Sequence, residues 1–178
     1  MKIHPEITSC WVVGLVGGKR AGKDTAARYL SVRGFERVAL ADPMKAIVAN
    51  CCGGEILKSG QPPRVLWQQV GTEIGRLIAP TLWIELLQVQ MVAAHRFAGK
   101  SKFVVSDVRF ENEAAAIREM GGRLIEIRRP DAADETDSHA SEQEWRTIAA
   151  DYVIHNDQAV LDLCRELAAA LVQFSMSK

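Results

Sequence analysis

A glycine-rich stretch between an apolar strand and a helix constrains this chain more than any other feature. Residues 10–16 are nearly all apolar, as expected of a strand buried on both faces, and lead directly into residues 17–25, GGKRAGKDT. The spacing GxxxxGK is typical of a loop whose glycines let the backbone turn tightly, so that successive amides point at phosphate oxygens. The predicted contacts to a bound polyphosphate are Gly17, Gly18, Lys19, Arg20, Ala21, Gly22, Lys23, Asp24 and Thr25.

Two charged residues open the helix that follows this loop. Lys23 stands where the helix dipole disfavours a cation, and a bound anion would remove that penalty, so we expect Lys23 to reach the β- and γ-phosphates. A simple turn joining a strand to a helix is the alternative. Asp24 occupies the position where Ser or Thr is usual. Its carboxylate could ligate Mg²⁺, hold one of its waters, or serve only as a favourable acid in the first helical turn.

Apolar runs alternate with helical patterns along the rest of the chain, which predicts a parallel sheet covered by helices on both faces. The predicted strands are residues 10–16, 35–40, 102–106, 123–127 and 152–155. The predicted helices are residues 23–34, 41–52, 62–79, 81–97, 111–120, 141–149 and 158–174. The expected fold is therefore a three-layer α/β fold with a five-stranded parallel sheet, and ligands should bind at the carboxyl ends of the strands.

Length and composition limit the partners. The 178 residues fit one domain, 1–178, and the 22 basic and 22 acidic residues balance, so no overall field favours a nucleic acid polymer or an anionic membrane. The longest apolar region, residues 82–94, is too short and too polar to span a bilayer. The N-terminus lacks a signal-peptide pattern and the four cysteines lack metal spacing, so we expect a cytoplasmic protein with free thiols.

A second acid is predicted near the phosphates. Asp107 follows the apolar run 103–106, where an acid commonly holds Mg²⁺ directly or through water in proteins with this loop. The alternative is that Asp107 caps the helix beginning near Phe110. Arg109 is a candidate catalytic arginine that could touch a phosphate, although an ion pair with Glu111 or Glu113 is an alternative.

A helix with a polar face of one charge sign is the predicted acceptor site, within a helical region of residues 41–98. Its polar face carries two arginines, an amide, a hydroxyl and no acid, which suits an acceptor phosphate and a base edge; a solvated face is the alternative. These predicted substrate contacts are Arg64, Gln68, Thr72 and Arg76. Asp42 and Lys45, on the preceding helix, are further candidates. Trp67 and Trp83 could stack on a base or belong to the core.

Arg128 and Arg129 end the fourth strand and enter a polar loop of residues 128–141. Charge builds on the equatorial oxygens during phosphoryl transfer, and arginine delivers fixed donors there. A loop that carries arginines and closes over the site is typical of a kinase lid. We therefore predict at least one catalytic arginine here, with ion pairs to Asp131 or Asp134 as the alternative.

Several runs together resemble the bacteriophage deoxynucleoside monophosphate kinase family: GLVGGKRAGKDTAA, ADPMKA, RVLWQQVGTEIGR, VVSDVRFENEAAAI, RRP followed by HASE, and the Asn156-Asp157 turn. The resemblance implies a P-loop kinase fold, transfer of the ATP γ-phosphate to deoxynucleoside monophosphates (dNMPs), Mg²⁺ and a homodimer. By position it implies that Lys23 binds ATP phosphates, that residues 41–45 and 64–76 face the acceptor, and that Asn156 lies near the adenine.

Other functions compete with this one. A P-loop kinase for another phosphorylated metabolite, such as phosphomevalonate or dephospho-coenzyme A, would share the loop but explains GTEIGR and DVRFENE less well. A GTPase switch would need an Asn-Lys-x-Asp motif, which the chain lacks. A non-catalytic nucleotide-binding protein would be expected to lose Lys23 or Asp107, and both are present.

Overall fold

A computed structural model of the chain describes residues 2–51, 70–71, 75–130 and 144–176, apart from the side chains of Cys51, Arg76 and Ile78. Within these residues the strands are β1 Trp11–Val16, β2 Glu36–Val38, β3 Lys102–Val108, β4 Arg123–Arg128 and β5 Tyr152–His155. The helices are α1 Lys23–Val32, α2 Ala41–Cys51, α3 Gly75–Ile78, α4 Leu82–Ala98, α5 Glu111–Glu119 and α6 Val160–Met176. No described helix is long and apolar enough to cross a membrane.

The strands form one five-stranded sheet in the order β2-β3-β1-β4-β5, and all four pairings are parallel. The strand β1 lies at the centre, so the loop that follows it emerges between the carboxyl ends of its two neighbours. In the register, Val16 faces Val108 of β3 on one side and Glu126 of β4 on the other. This arrangement confirms the predicted fold class.

Helices cover both faces of the sheet. Alternate residues of the strands point to opposite faces, as the two-residue period of a strand requires: Val12 belongs to one buried cluster and Val13 to the other. The first cluster packs against α2, α4 and α5. The second cluster packs against α1 and α6, which therefore lie together on the opposite face. The site loop thus begins at a strand that is buried on both sides and has little freedom to move.

The structure corrects two predicted elements. The strand β3 continues to Val108, past the predicted end at residue 106. The register with β1 shifts between Gly14 and Val16 and takes up one extra β3 residue, so that Val108 still pairs with Val16. In the predicted helix 141–149, the described part is only a short 3₁₀ turn, Glu144–Thr147. The chain must extend soon afterwards, since Ile148 enters the core and Asp151 already exchanges hydrogen bonds with Leu124.

Candidate phosphate-binding site

The loop between β1 and α1 is held in a conformation that requires glycine at both ends. Gly17 has a φ of 143°, and a Cβ there would lie 2.4 Å from the carbonyl oxygen of Ile127 in β4. Gly22 has a φ of 110°, and a Cβ there would lie 2.5 Å from the side-chain nitrogen of Asn156. Side chains at these positions would be strained and would also clash. The two glycines of the GxxxxGK motif therefore fix the loop against β4 and against the turn after β5.

Lys23 folds back over the loop that precedes it. Its ammonium group donates to the carbonyl oxygens of Gly17 and Gly18, at 2.6 Å each. Gly22 is the N-cap residue of α1 and supplies no side-chain cap to the first-turn amides. Those amides and the helix dipole make the start of α1 a suitable place for an anion. The chain thus brings an ammonium group and a helix N-terminus to one loop.

The remaining loop residues surround this arrangement. Lys19 is half-buried, and Arg20 is exposed with a φ of 60°, a left-handed conformation that is uncommon outside glycine. Ala21 is buried. Asp24 is exposed in the first turn of α1, where an acid is favourable next to the helix dipole, and Thr25 follows it half-buried. A role for Asp24 at Mg²⁺ stays a prediction.

Asp107 connects β3 to the start of α2. Its two carboxylate oxygens accept the backbone N–H groups of Leu40, at 2.8 Å, and Ala41, at 3.0 Å. Burial raises the pKa of Asp107, while these two hydrogen bonds act in the opposite direction. Asp107 therefore lies inside β3 and secures the β2–α2 connection. These hydrogen bonds are compatible with a metal ion, because a carboxylate oxygen that accepts an N–H still has a second lone pair. The association of Asp107 with Mg²⁺ stays a prediction.

Glu113, and not Asp107, caps the start of α5. One oxygen of the Glu113 carboxylate accepts the backbone N–H groups of Arg109, at 2.8 Å, and Phe110, at 3.1 Å. The alternative capping role considered for Asp107 is therefore wrong. Glu111 pairs with Arg118 at 3.3 Å. The predicted catalytic role of the Arg109 guanidinium stays a prediction.

Sequence reasoning missed Glu126, which lies beside the loop. Glu126 is only 6% exposed, and its carboxylate binds Arg128 through two hydrogen bonds, from Nε at 2.7 Å and from a terminal nitrogen at 2.9 Å. The hydrogen bonds and charge of this carboxylate raise the pKa of Arg128, and the two bonds orient its guanidinium. The alternation of RLIEIR could have found this pair, since it places both residues on one face of β4. Arg129 is exposed, and residues 131–141 of the predicted lid lie outside the described part.

The predicted acceptor side is described only in part. Arg64, Gln68 and Thr72 lie outside the described residues, as does the side chain of Arg76 in α3. Asp42 pairs with Arg37 at 2.9 Å and lies 4.0 Å from Lys45. Trp83 is buried in α4 and donates its indole N–H to the carbonyl of Gly71 at 2.6 Å, which confirms it as a core residue; Trp67 lies outside the described part.

Asn156 touches the loop directly. Its side-chain amide donates to the carbonyl of Ala21 at 2.8 Å, although 135 residues separate the two in sequence. Its backbone N–H donates to the carbonyl of Arg128 at 2.7 Å. The predicted position near an adenine stays a prediction, because the described contacts of Asn156 are with the loop and with the end of β4.

Asp24 and Asp107 are the candidate Mg²⁺ ligands of this site. Among residues 2–51, 70–71, 75–130 and 144–176, no three His, Cys, Asp or Glu side chains are arranged to hold a metal ion. Mg²⁺ is commonly bound by one or two carboxylates together with substrate phosphates. Asp107 at the carboxyl edge of the sheet and Asp24 at the start of α1 are compatible with that pattern.

Comparisons with known proteins agree with the geometry. The family model "Deoxynucleotide monophosphate kinase" matches residues 57–167. A protein of Acanthamoeba polyphaga mimivirus described as "Putative deoxynucleotide monophosphate kinase" is 33% identical, with 90% of this chain and 95% of that protein covered. None of these matches bears on a bacteriophage origin, which stays a prediction.

Solved kinase structures share the fold at low sequence identity. A dephospho-CoA kinase from Campylobacter jejuni aligns with a TM-score of 0.56 and 14% identity, over 93% of this chain and 98% of that one. A shikimate kinase from Aquifex aeolicus aligns with a TM-score of 0.53 and 11% identity, over 94% and 99%. At these identities the likeness is one of fold alone, namely that of P-loop kinases.

Proposed function

Since this chain belongs to the deoxynucleotide monophosphate kinase family, we propose that it transfers the γ-phosphoryl group of ATP to the phosphate of a deoxynucleoside monophosphate. The observation that supports this most strongly is the loop at residues 17–22, with Lys23 folded over it and a helix behind it whose first turn has no side-chain cap. Family membership supplies the acceptor class. The products would be ADP and a deoxynucleoside diphosphate.

Lys23 has the clearest role on the donor side. Its ammonium group now binds two carbonyl oxygens of its own loop, which are neutral acceptors. Phosphate oxygens are charged acceptors and form hydrogen bonds roughly twice as strong. We expect Lys23 to exchange the Gly17 and Gly18 carbonyls for the β- and γ-phosphates. The first-turn amides of α1 would hold the same phosphates without reorganisation.

Arg128 would act on the group in transfer. Glu126 uses two of the five N–H groups of the guanidinium, so three are left for phosphate oxygens. Arg109 and Arg129 are further candidates for this work. Mg²⁺ held by Asp107 and Asp24 would neutralise charge on the phosphates. The acceptor oxygen attacks in line, so positioning and electrostatics supply the catalysis and no protein nucleophile is required.

The acceptor would lie on the side of α2 and α3. Arg64, Gln68, Thr72 and Arg76, with Asp42 and Lys45, are proposed to bind the dNMP phosphate and base. A lid at residues 128–141 is also proposed, from the arginines at its start, and a homodimer is proposed from the family resemblance. Arg64→Ala and Arg76→Ala should raise the acceptor KM; an unchanged KM in both would reject the acceptor assignment.

A coupled ADP-release assay tests the reaction. Purified protein with ATP and Mg²⁺ is offered each dNMP, each NMP, phosphomevalonate and dephospho-coenzyme A. We expect a dNMP to stimulate ADP release, and Lys23→Ala to abolish most of it. Lys100→Ala is the matched control, because Lys100 precedes β3 at the opposite edge of the sheet and pairs with Glu36. If only another acceptor is phosphorylated, the dNMP assignment is wrong.

A further inference from the structure

Asn156 is bound to the phosphate loop and is placed to control its shape. The residue follows β5, and its amide nitrogen lies 2.8 Å from the carbonyl oxygen of Ala21. The same nitrogen lies 2.5 Å from where a Cβ on Gly22 would stand. Since Ala21 is 1% exposed, its carbonyl has little access to water and depends on a protein donor. Within the part of the chain that the structure describes, the side-chain amide of Asn156 meets this need.

The planarity of the peptide bond carries the effect of this contact into the loop. The carbonyl of Ala21 and the N–H of Gly22 belong to one trans peptide unit and so point in opposite directions. An amide that holds the carbonyl toward β5 therefore holds the Gly22 N–H toward the other side. In loops of this kind the inward N–H groups are the phosphate donors.

Asn156 is itself fixed from a second direction. Its backbone N–H donates to the carbonyl of Arg128 at 2.7 Å, at the end of β4. Gly17, at the other end of the loop, lies against the carbonyl of Ile127 in the same strand. Both ends of the loop are thus held by the carboxyl end of β4, the first directly and the second through Asn156.

We propose that Asn156 is a positioning residue of the phosphate loop: its amide holds the Ala21 carbonyl outward and thereby points the Gly22 N–H at the phosphates of the bound donor. This inference rests on the proposed function only in taking the loop as the site of the donor phosphates. It differs from recognition of the adenine, because it acts on every ligand that carries the phosphate chain, whatever its base.

Inorganic tripolyphosphate separates the two roles, since it has the phosphate chain and no base. Titration calorimetry with Mg²⁺ compares tripolyphosphate and ATP binding in the wild type, Asn156→Ala and Asn156→Asp. We expect Asn156→Ala to weaken both ligands by the same factor, about three- to tenfold, as for loss of one hydrogen bond. Asn156→Asp should weaken both further, because a carboxylate would face the Ala21 carbonyl. The acceptor KM should not change.

Gln158→Glu is the matched control, because it adds the same charge to the same exposed turn two residues further on. It should bind tripolyphosphate as the wild type does; an equal loss in this variant would assign the effect to charge and reject the proposal. Circular dichroism establishes that each variant is folded. If Asn156→Ala loses the native fold, the isosteric variant Asn156→Asp tests the positioning role in its place.

Other outcomes also decide the matter. If ATP binding weakens while tripolyphosphate binding is unchanged, Asn156 reads the base and the proposal is wrong. Wild-type affinity for both ligands in a folded variant would overturn it as well. If tripolyphosphate binding falls as expected but no dNMP is phosphorylated by the wild type, the positioning role stands and the acceptor assignment fails. A wild type that binds neither ligand would reject both.

Discussion

At the scale of single residues, the pair Glu126–Arg128 decides how one candidate catalytic group is presented. A buried carboxylate that binds a guanidinium through two hydrogen bonds fixes the plane of the guanidinium. The guanidinium itself is half exposed, at 54% of its side chain, so it remains accessible to a ligand. Orientation of this kind lowers the entropy lost when the arginine meets the group in transfer.

Glu126→Gln should lower kcat about tenfold with little change in the KM for either substrate. The amide keeps the volume of Glu126 but offers one acceptor oxygen where the carboxylate offers two, so Arg128 loses its fixed plane. Steady-state kinetics with Arg128→Ala and the double variant measure the coupling. If Glu126 acts through Arg128, the double variant should be no slower than Arg128→Ala alone.

Glu6→Gln is the matched control for that experiment. Glu6 precedes the amino end of β1, whereas the loop follows its carboxyl end. Glu6 binds Arg96 through three hydrogen bonds, and this pair is exposed. The same chemical change there should leave kcat unchanged. A multiplicative loss in the Glu126→Gln, Arg128→Ala double variant would contradict the positioning role of Glu126.

At the scale of elements, α3 and α4 pack so closely that only glycine fits between them. A Cβ on Gly75 would lie 2.3 Å from the ring of Trp83. The same indole binds the Gly71 carbonyl, and Asn112 at the start of α5 donates to the carbonyl of Pro80 at 2.9 Å. Gly71 and Gly75 of the GTEIGR run and Asn112 of the FENE run therefore have a structural role, because they join the proposed acceptor side to the core.

Gly75→Ala should raise the acceptor KM severalfold while the KM for ATP is unchanged. The added methyl group must displace either α3 or the Trp83 ring, and α3 carries Arg76. Overpacking of this kind costs about 1–3 kcal/mol of stability. Kinetics with both substrates varied, and urea unfolding, measure the two effects.

Gly34→Ala provides the comparison for Gly75→Ala. Gly34 has a φ of 86° and nothing within 4 Å of a Cβ, so alanine there is strained without a clash. It should destabilise the fold and leave both KM values unchanged. An equal rise in the acceptor KM for both variants would mean that general destabilisation, and not the position of α3, is responsible.

At the scale of the whole molecule, an ion pair ties the N-terminal segment to α4. The hydrogen bonds from Arg96 lower the pKa of Glu6 below its usual 4.5, and the charges of Arg96, His4 and His95 lower it further. A carboxyl group with a lowered pKa in the folded state stabilises that state above its unfolded pKa. This contribution is lost as the pH falls through the folded pKa.

The urea midpoints of the wild type and Glu6→Gln should therefore differ at pH 7 and converge below about pH 4.5. The difference should be small and should shrink in high salt, because the pair is exposed and screened. Urea unfolding at several pH values measures it. If the difference between the two urea midpoints grew as the pH fell, the ion pair would not be the source of the stability, and the prediction would be wrong.

Much of this fold follows from local sequence patterns, because hydrophobic period and glycine position act over short distances. The strand predicted at residues 152–155 is β5, with the same two ends. The helix predicted at residues 41–52 is α2, which begins at the predicted residue and is described as far as Cys51. The apolar strands and the loop between two glycines fixed the five-stranded sheet and the place of the phosphate site. The predicted end of β3 is wrong, because the strand continues past a register shift against β1.

The identity of the side chains that meet at the site was decided by the tertiary structure. Nothing local indicates that Asn156 binds Ala21 or that Asp107 holds the amides of Leu40 and Ala41, whereas the alternation of β4 does place Glu126 and Arg128 on one face. Each of these two long-range contacts joins the carboxyl ends of different strands or the segments that follow them, so it exists only once the parallel sheet has brought those ends to one edge. The sequence by itself determined that a phosphate loop would form, because its glycines and lysine lie within one turn of chain. Only the folded sheet determined what holds that loop in shape.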